Sequence, residues 1–367
     1  SANWMWPCNN PGEDARLYEA VESCSDFAIG LGINIPTGKD SLSMKQKYKD
    51  QEVLSPGTVI ISAAANCNNI SNIIEPVFQA NNQDIYYINL ANNNFNIGGS
   101  AFSQTLGFIG SSTIDSCNSS YFKKTFNIFQ NLIKENLISS GHDISSGGLI
   151  TTLLEMCFSE NNLGADIDLN QFVEKDLIRL LFSESLGIVF QGKKEIEEVL
   201  NTNKINYINI GKVTNNSKLE MKSGTNNIIL DILKYRDIWF KTSYLLDQNQ
   251  SGKIKAKERF ENFKKHPLNF KFPNNFNGKI NHYNLKKVKA AVIREKGSNS
   301  EREMAYAMAL AGFEVKDVHM TDLISGRENL EDINFIVAVG GFSNSDVLGS
   351  AKGWAGSFLY NEKAKKS

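Results

Sequence analysis

Two short stretches carry the residue types that handle phosphate and metal. The first, "PTGKDSLSMK", packs Gly38, Lys39, Asp40, Ser41, Ser43 and Lys45 into eight positions. Glycine lets the backbone approach a phosphate, lysine supplies charge, and aspartate can hold a magnesium ion. It is not a P-loop: that motif needs glycine where Ile33 sits and Ser or Thr where Asp40 sits. The same composition also suits a solvated turn. The second, "GHDISSGGL", crowds His142, Asp143, Ser145 and Ser146 into a loop that enters a helix at Gly147 and Gly148. Helix starts attract phosphate through free N–H groups and the helix dipole. An acid at such a place normally caps the helix, whereas an acid beside an anion site usually means that a metal bridges the two. A capped helix after a tight turn is the other reading, and His142 by itself reads as a packed or hydrogen-bonded side chain.

Three further stretches are weaker. "NIGGSAFSQ" puts Gly98, Gly99 and Ser100 at a helix start, which suits a phosphate or close helix packing. "FSESLG" sets Glu184 among apolar neighbours, as a substrate or metal carboxylate or as a surface acid on a short helix. In "GGFSNSDVLG", Gly340 and Gly341 can turn N–H groups toward one point, as an oxyanion hole does. A hole needs a nucleophile, yet no Cys follows Cys157 and no Ser here sits in a G-x-S-x-G elbow. The last stretch is half a site.

The elements that position these stretches follow from periodicity. Leu17, Ala20, Val21 and Cys24 repeat with helical spacing, and Gly30 and Gly32 end that helix. "GTVIISAAA" reads as a short buried strand. "DIYYINL" reads as a strand, "YFKKTFNIFQNLIKENLI" as a helix with a stripe at Phe122, Phe126, Phe129, Leu132 and Ile133, and "SSGHDISSGG" as a loop. "LITTLLEMCF" is a helix, and "LIRLLFSESLGIVFQG" a helix and a buried strand. Residues from about 235 to 287 are polar and basic and read as a long linker lying on other domains. "KVKAAVIRE", "EVKDVHM" and "INFIVAVGGF" are three strands of an open parallel sheet. The helix between the first two has capping-box spacing at Ser300 and Glu303 and a stop at Gly312.

With 367 residues, the chain has room for two or three domains. Its net charge of −1 does not suggest a nucleic-acid or membrane partner, and no apolar run reaches the roughly 18 residues of a spanning helix. The five cysteines form no C-x-x-C pair, which argues against a zinc site and fits a reducing compartment. The chain opens on Ser rather than Met, so it is expected to begin inside a longer protein.

"SANWMWPCNNPGEDARLYEAV", "IPTGKDSLSMK", "GHDISSGGL", "LFSESLG", "IREKGSNSEREMA", "DVHMTDLISGR" and "GGFSNSDVLGSAKGWA" follow one another in an order that resembles the large, single-chain phosphoribosylformylglycinamidine synthases. The resemblance covers essentially the whole chain. It implies an α/β and α+β multidomain fold: aminoimidazole-ribonucleotide-synthetase-like (PurM-like) subdomains, then the start of a class I glutamine amidotransferase with a flavodoxin-like parallel sheet. Residues 1–66 would end the second A-type subdomain, 67–235 would form the second B-type subdomain, 236–286 a linker, and 287–367 the first part of the glutaminase.

The implied activity belongs to purine biosynthesis. Formylglycinamide ribonucleotide, glutamine and ATP become formylglycinamidine ribonucleotide, glutamate, ADP and phosphate, in the cytoplasm. Asp143 matches a magnesium ligand and Ser145 a nucleotide contact, with Gly147 and Gly148 beside it. Lys39 and Ser41 are weaker nucleotide candidates, and Asp40 a weaker metal candidate. Gly340, Gly341 and Phe342 match the oxyanion-side loop. The family's remaining metal ligands would lie in segments before Ser1, and the glutaminase Cys and His–Glu pair after Ser367. No complete active site is therefore expected, and the nucleotide site is either catalytic or auxiliary. The glutaminase portion is expected to leave an open sheet edge. Ser146 stands where the family has Asp, and Asn344-Ser345 where it has Tyr-Gly. Two rivals are a phosphotransferase of the same superfold, opposed by the motifs after Lys287, and a split-gene or relic fragment that binds nucleotide without catalysis.

Overall fold

The computed structural model describes residues 1–67, 69–91, 93–114, 116–159, 162–263, 265, 271–275, 288–346 and 349–367, and divides into units Ser1–His266 and Pro267–Ser367. The first unit opens with strand β1 (Ala2–Met5), helix α1 (Glu13–Leu31), and strands β2 (Gly38–Ser41), β3 (Lys45–Tyr48), β4 (Gln51–Leu54) and β5 (Thr58–Ile61). β1 lies between β2, to which it is parallel, and β5, to which it is antiparallel, while β3 and β4 form a separate hairpin. Gly32 takes a left-handed φ of 75° at the end of α1, as its position in the sequence predicts. The expected strand in "GTVIISAAA" is present, but it is not buried. β5 is an edge strand with apolar residues on both faces, and Val59, Ile60 and Ile61 are all exposed.

The chain continues through β6 (Asp84–Asn89), α2 (Ala101–Thr105), α3 (Ser119–Lys134), β7 (Ile138–Asp143), α4 (Gly148–Phe158), β8 (Gly164–Asp168), α5 (Leu177–Phe182), β9 (Gly187–Gly192), α6 (Ile196–Thr202), β10 (Ile208–Thr214), β11 (Lys218–Ser223) and β12 (Asn226–Asp231). Among the described residues, seven strands make one sheet in the order β12-β11-β8-β10-β6-β9-β7. Alternation along β6 and β9 feeds both faces. Ile85, Tyr87 and Val189 join a core with Leu149, Leu153, Met156 and Cys157 of α4. Tyr86, Ile88 and Phe190 join a second core with Phe129 and Leu132 of α3 and Ile196 and Leu200 of α6. Of the predicted α3 stripe, Phe129 and Leu132 are buried, while Phe126 is exposed.

Two expectations change here. "SSGHDISSGG" is not wholly a loop: Ser140 to Asp143 pair with β9, so His142 and Asp143 sit at a strand end. The segment read as a linker begins with α7 (Ile232–Gln250) and α8 (Lys253–Asn262). Its polar, basic composition hides the helices, within and beside which Trp239, Phe240, Tyr244, Phe260 and Phe263 stack on one another. The latter part of that segment, and Lys287, lie largely outside the described residues.

The second unit contains β13 (Lys289–Arg294), α9 (Glu301–Leu310), β14 (Glu314–His319), α10 (Met320–Ser325), β15 (Phe335–Ala338), α11 (Ser350–Tyr360) and α12 (Glu362–Lys366). β13 is central and parallel to both β14 and β15, as the alternation of strand and helix predicts. Edge strand β15 leaves Phe335 and Ile336 exposed. The capping box predicted at Ser300 does not form. Ser300 is left-handed (φ 68°) and its side chain makes no cap bond, whereas His319 and Asp322 do form a capping box at α10.

Candidate functional site

β9 is antiparallel to β6 on one side and to β7 on the other. The start of β9 therefore meets the ends of both neighbours. Gly187 pairs with Asn89, the last residue of β6, and Ile188 with Asp143, the last residue of β7. Two hydrogen bonds extend the pairing: the Leu90 N–H donates to the Leu186 carbonyl, and the Ile144 N–H to the Gly187 carbonyl. The loops leaving β6 and β7 are the ones that carry Gly98–Ser100 and Ser145–Gly148. The turn that enters β9 carries Glu184. Strand pairing thus gathers three of the five stretches singled out in the sequence.

Glu184 joins them directly. One of its carboxylate oxygens, Oε1, accepts the Ala101 N–H at 2.8 Å and the Gly147 N–H at 2.8 Å. Ser100 caps α2 by accepting the Ser103 N–H, and its hydroxyl donates to the Ile97 carbonyl. Gly147 precedes α4 with φ 90° and Gly148 begins it with φ 75°. A Cβ at Gly148 would meet the Leu181 carbonyl oxygen at 2.6 Å, so helix packing and backbone angle both demand glycine there. A Cβ at Gly98 would meet the Ser112 carbonyl oxygen at 1.7 Å, which makes close packing its first role. Glu184 is half-buried rather than a surface acid, and it braces two glycine-led helix starts.

Asp143 sits at the rim of this arrangement, with its side chain 71% exposed. Its carbonyl accepts the Thr152 hydroxyl. The His142 ring stands 2.8 Å from the same carbonyl through Nδ1 and 3.2 Å from Glu155 Oε2 through Nε2. Trp239 of α7 donates its indole N–H to Glu155 Oε1 at 2.9 Å. His142 is thus a bonded side chain, as its sequence context suggests. Glu155 and Trp239 were not foreseen. The available signal was a lone acid in the otherwise apolar helix "LITTLLEMCF". Ser145 lies between Asp143 and the glycines, and its carbonyl accepts the Gly148 N–H.

The remaining candidates stand apart. Lys39, Asp40 and Ser41 lie on β2 of the small sheet, where the Lys39 ammonium bonds the Asp40 carbonyl and the Ser41 hydroxyl. Among the described residues no group of three or more His, Cys, Asp or Glu side chains could hold a metal. Asp143 offers one hard, exposed oxygen donor, which fits a magnesium ligand but is not a magnesium site. In the second unit, Gly341 (φ 125°) bridges Ser298, the Gly340 carbonyl accepts the Asn299 N–H, and Phe342 is exposed. A Cβ at Gly297 would meet the Phe342 carbonyl oxygen at 2.3 Å, so this loop is held by backbone contact. Part of "GGFSNSDVLG", residues 347 and 348, lies outside the described residues. Burial of Cys157 pushes its thiol up to about 12, so it does not act as a nucleophile at neutral pH.

Residues 1–66 match the FGAR-AT PurM_N-like domain family, residues 90–223 the family of the C-terminal domain of AIR-synthase-related proteins, and residues 287–367 the CobB/CobQ-like glutamine amidotransferase domain family. The chain is 39% identical, over 99% of its length, to a probable phosphoribosylformylglycinamidine synthase, chloroplastic/mitochondrial, of Arabidopsis thaliana, of which it covers 26%. It is 36% identical to the phosphoribosylformylglycinamidine synthase of Dictyostelium discoideum over 100% of its length, covering 30% of that protein. The corresponding protein of Schizosaccharomyces pombe is 35% identical and 29% covered. The chain thus spans less than a third of the length of these relatives. Among solved structures, T. maritima PurL complexed with FGAR aligns with a TM-score of 0.47 and 12% identity, over 64% of this chain and 38% of that one. No described helix is long and apolar enough to cross a membrane. Along its whole length the chain is similar to one segment of these phosphoribosylformylglycinamidine synthases.

Proposed function

We propose that this chain is part of an ATP- and glutamine-dependent amidotransferase that converts formylglycinamide ribonucleotide to formylglycinamidine ribonucleotide in purine biosynthesis. Unbroken similarity to proteins of that name, across three successive family domains, carries the reading. In this reading, residues 1–66 and 67–235 are parts of the synthetase and 287–367 the first part of the glutaminase. The segment 236–286 connects them; it opens within α7 and contains α8. ATP, ADP, glutamine and formylglycinamide ribonucleotide are the small molecules handled, and the cytoplasm is the proposed compartment.

The chain's own residues support specific roles. Asp143, exposed at the end of β7, presents a carboxylate beside the start of α4, where backbone N–H groups and the dipole favour phosphate oxygens. Ser145, Gly147 and Gly148 let the backbone approach that anion closely. A magnesium ion bound there would neutralise phosphate charge, and its other ligands would come from segments outside this chain. Gly340, Gly341 and Phe342 form one side of a glutaminase oxyanion loop, with the nucleophile supplied from elsewhere in the protein. The Asp143→Asn substitution in the protein that carries this chain tests the assignment. Removing a hard oxygen charge is expected to weaken magnesium–ADP retention at least about tenfold. Unchanged retention removes Asp143 from the metal role.

A further inference from the structure

We infer that Glu184 is a positioning residue: it clamps the loop after β6 and the loop after β7 into one unit and so sets the phosphate end of the nucleotide site. The inference rests on the function proposed above and adds to it a residue that acts through the two loops it holds.

The geometry is specific. A single carboxylate oxygen receives two backbone N–H groups from loops 46 residues apart in sequence, each at 2.8 Å. The residues around Glu184 strengthen the hold on the first loop. Ser183 donates its hydroxyl to the Asn96 carbonyl at 3.0 Å. Arg179 donates to the carbonyls of Asn94 and Phe95, and Phe182 stacks on Phe102 at 4.4 Å. On the second loop, Gly148 lies against the backbone of Leu181 and Phe182. From Arg179 to Glu184, then, the chain grips both glycine-led loops, and β9, paired on both sides by β6 and β7, anchors that grip in the sheet. Asp143 and Ser145 lie in the second loop and at the strand end leading into it. Displacing Gly147 displaces them relative to Ser100 and Ala101. Two backbone N–H groups converging on one oxygen, each at 2.8 Å, fix that distance.

Acceptor geometry, not charge, is what the clamp requires. The amide oxygen of glutamine can accept both N–H groups, whereas alanine accepts neither. Glu184→Ala and Glu184→Gln are compared in the protein that carries this chain. Amide hydrogen exchange is followed in peptides spanning 97–102 and 145–149, and binding of magnesium–ADP is titrated alongside. In Glu184→Ala, exchange is expected to accelerate at least about tenfold in both peptides and magnesium–ADP to bind at least about tenfold more weakly. In Glu184→Gln both quantities should stay within about threefold of the parent. If exchange accelerates in one peptide or in neither, the clamp is refuted. If both peptides loosen while magnesium–ADP binds unchanged, the positioning role is refuted and a structural role remains. If Glu184→Gln fails as badly as Glu184→Ala, charge is the requirement and the proposal is overturned. A parent protein that binds no magnesium–ADP refutes the nucleotide-site reading and the positioning role with it, a result separate from the exchange data.

Discussion

At Ser345 the backbone is left-handed, with φ 58°, and Asn344 before it has φ 53°. Asparagine tolerates that region, and serine does so at a cost of roughly 1–2 kcal/mol. The family resemblance places glycine at the second of these positions, so the departure noted in the sequence has a physical meaning: the loop keeps a shape suited to glycine without having one. Ser345→Gly is expected to stabilise the chain by roughly 0.5–1 kcal/mol, after the entropy cost of a new glycine is subtracted. Urea denaturation measures it, and a destabilised variant would mean that the serine side chain is needed. Sequence reasoning singled out Asp143, Ser145, Gly147 and Gly148 as candidates because motif spacing is local, and the structure sets them at the end of β7 and the start of α4. It left Glu184 open between three roles. Its partners, the N–H groups of Ala101 and Gly147, are set by strand pairing across the sheet.

Among the elements, β9 organises the site. Its central place between β6 and β7 turns three distant motifs into neighbours. The apolar run in "GIVFQG" announced a buried strand, but nothing in a single strand states which strands lie beside it. Helix α7 shows the converse limit. Most of it falls in a segment whose polar, basic composition reads as linker, yet it supplies Trp239, whose indole holds Glu155, which in turn meets His142 next to Asp143. Trp239→Phe keeps an aromatic side chain against Phe158 and Phe240 but removes the donor and part of the ring. The expected loss is about 1 kcal/mol of stability, the usual worth of one hydrogen bond. Equilibrium urea unfolding reads this directly, and an unchanged midpoint would show that Glu155 is equally well satisfied by water. The strand in "GTVIISAAA" was legible as a strand and not as an exposed one. Burial depends on what covers the sheet, whereas β-branching depends only on the residues themselves.

At the scale of the whole molecule, the order of the motifs matched the order of the three family domains that the chain resembles. Two fold features agree with that order: the mixed seven-stranded sheet in the first unit and the parallel three-stranded sheet in the second. Chemistry is divided between them, with the nucleotide-facing candidates in one unit and the oxyanion-side loop in the other. The five cysteines all lie in the first unit, and burial holds Cys157 protonated at neutral pH. Under the proposed function, turnover belongs to the whole protein and not to this chain. The direct test is to assay the purified protein that carries the chain, and the 367-residue chain by itself, with formylglycinamide ribonucleotide, magnesium–ATP and glutamine. Formylglycinamidine ribonucleotide and glutamate should form in equal amounts with the former, and neither product with the latter. A folded, nucleotide-binding whole protein that forms no formylglycinamidine ribonucleotide, or glutamate release by the chain alone, would contradict it.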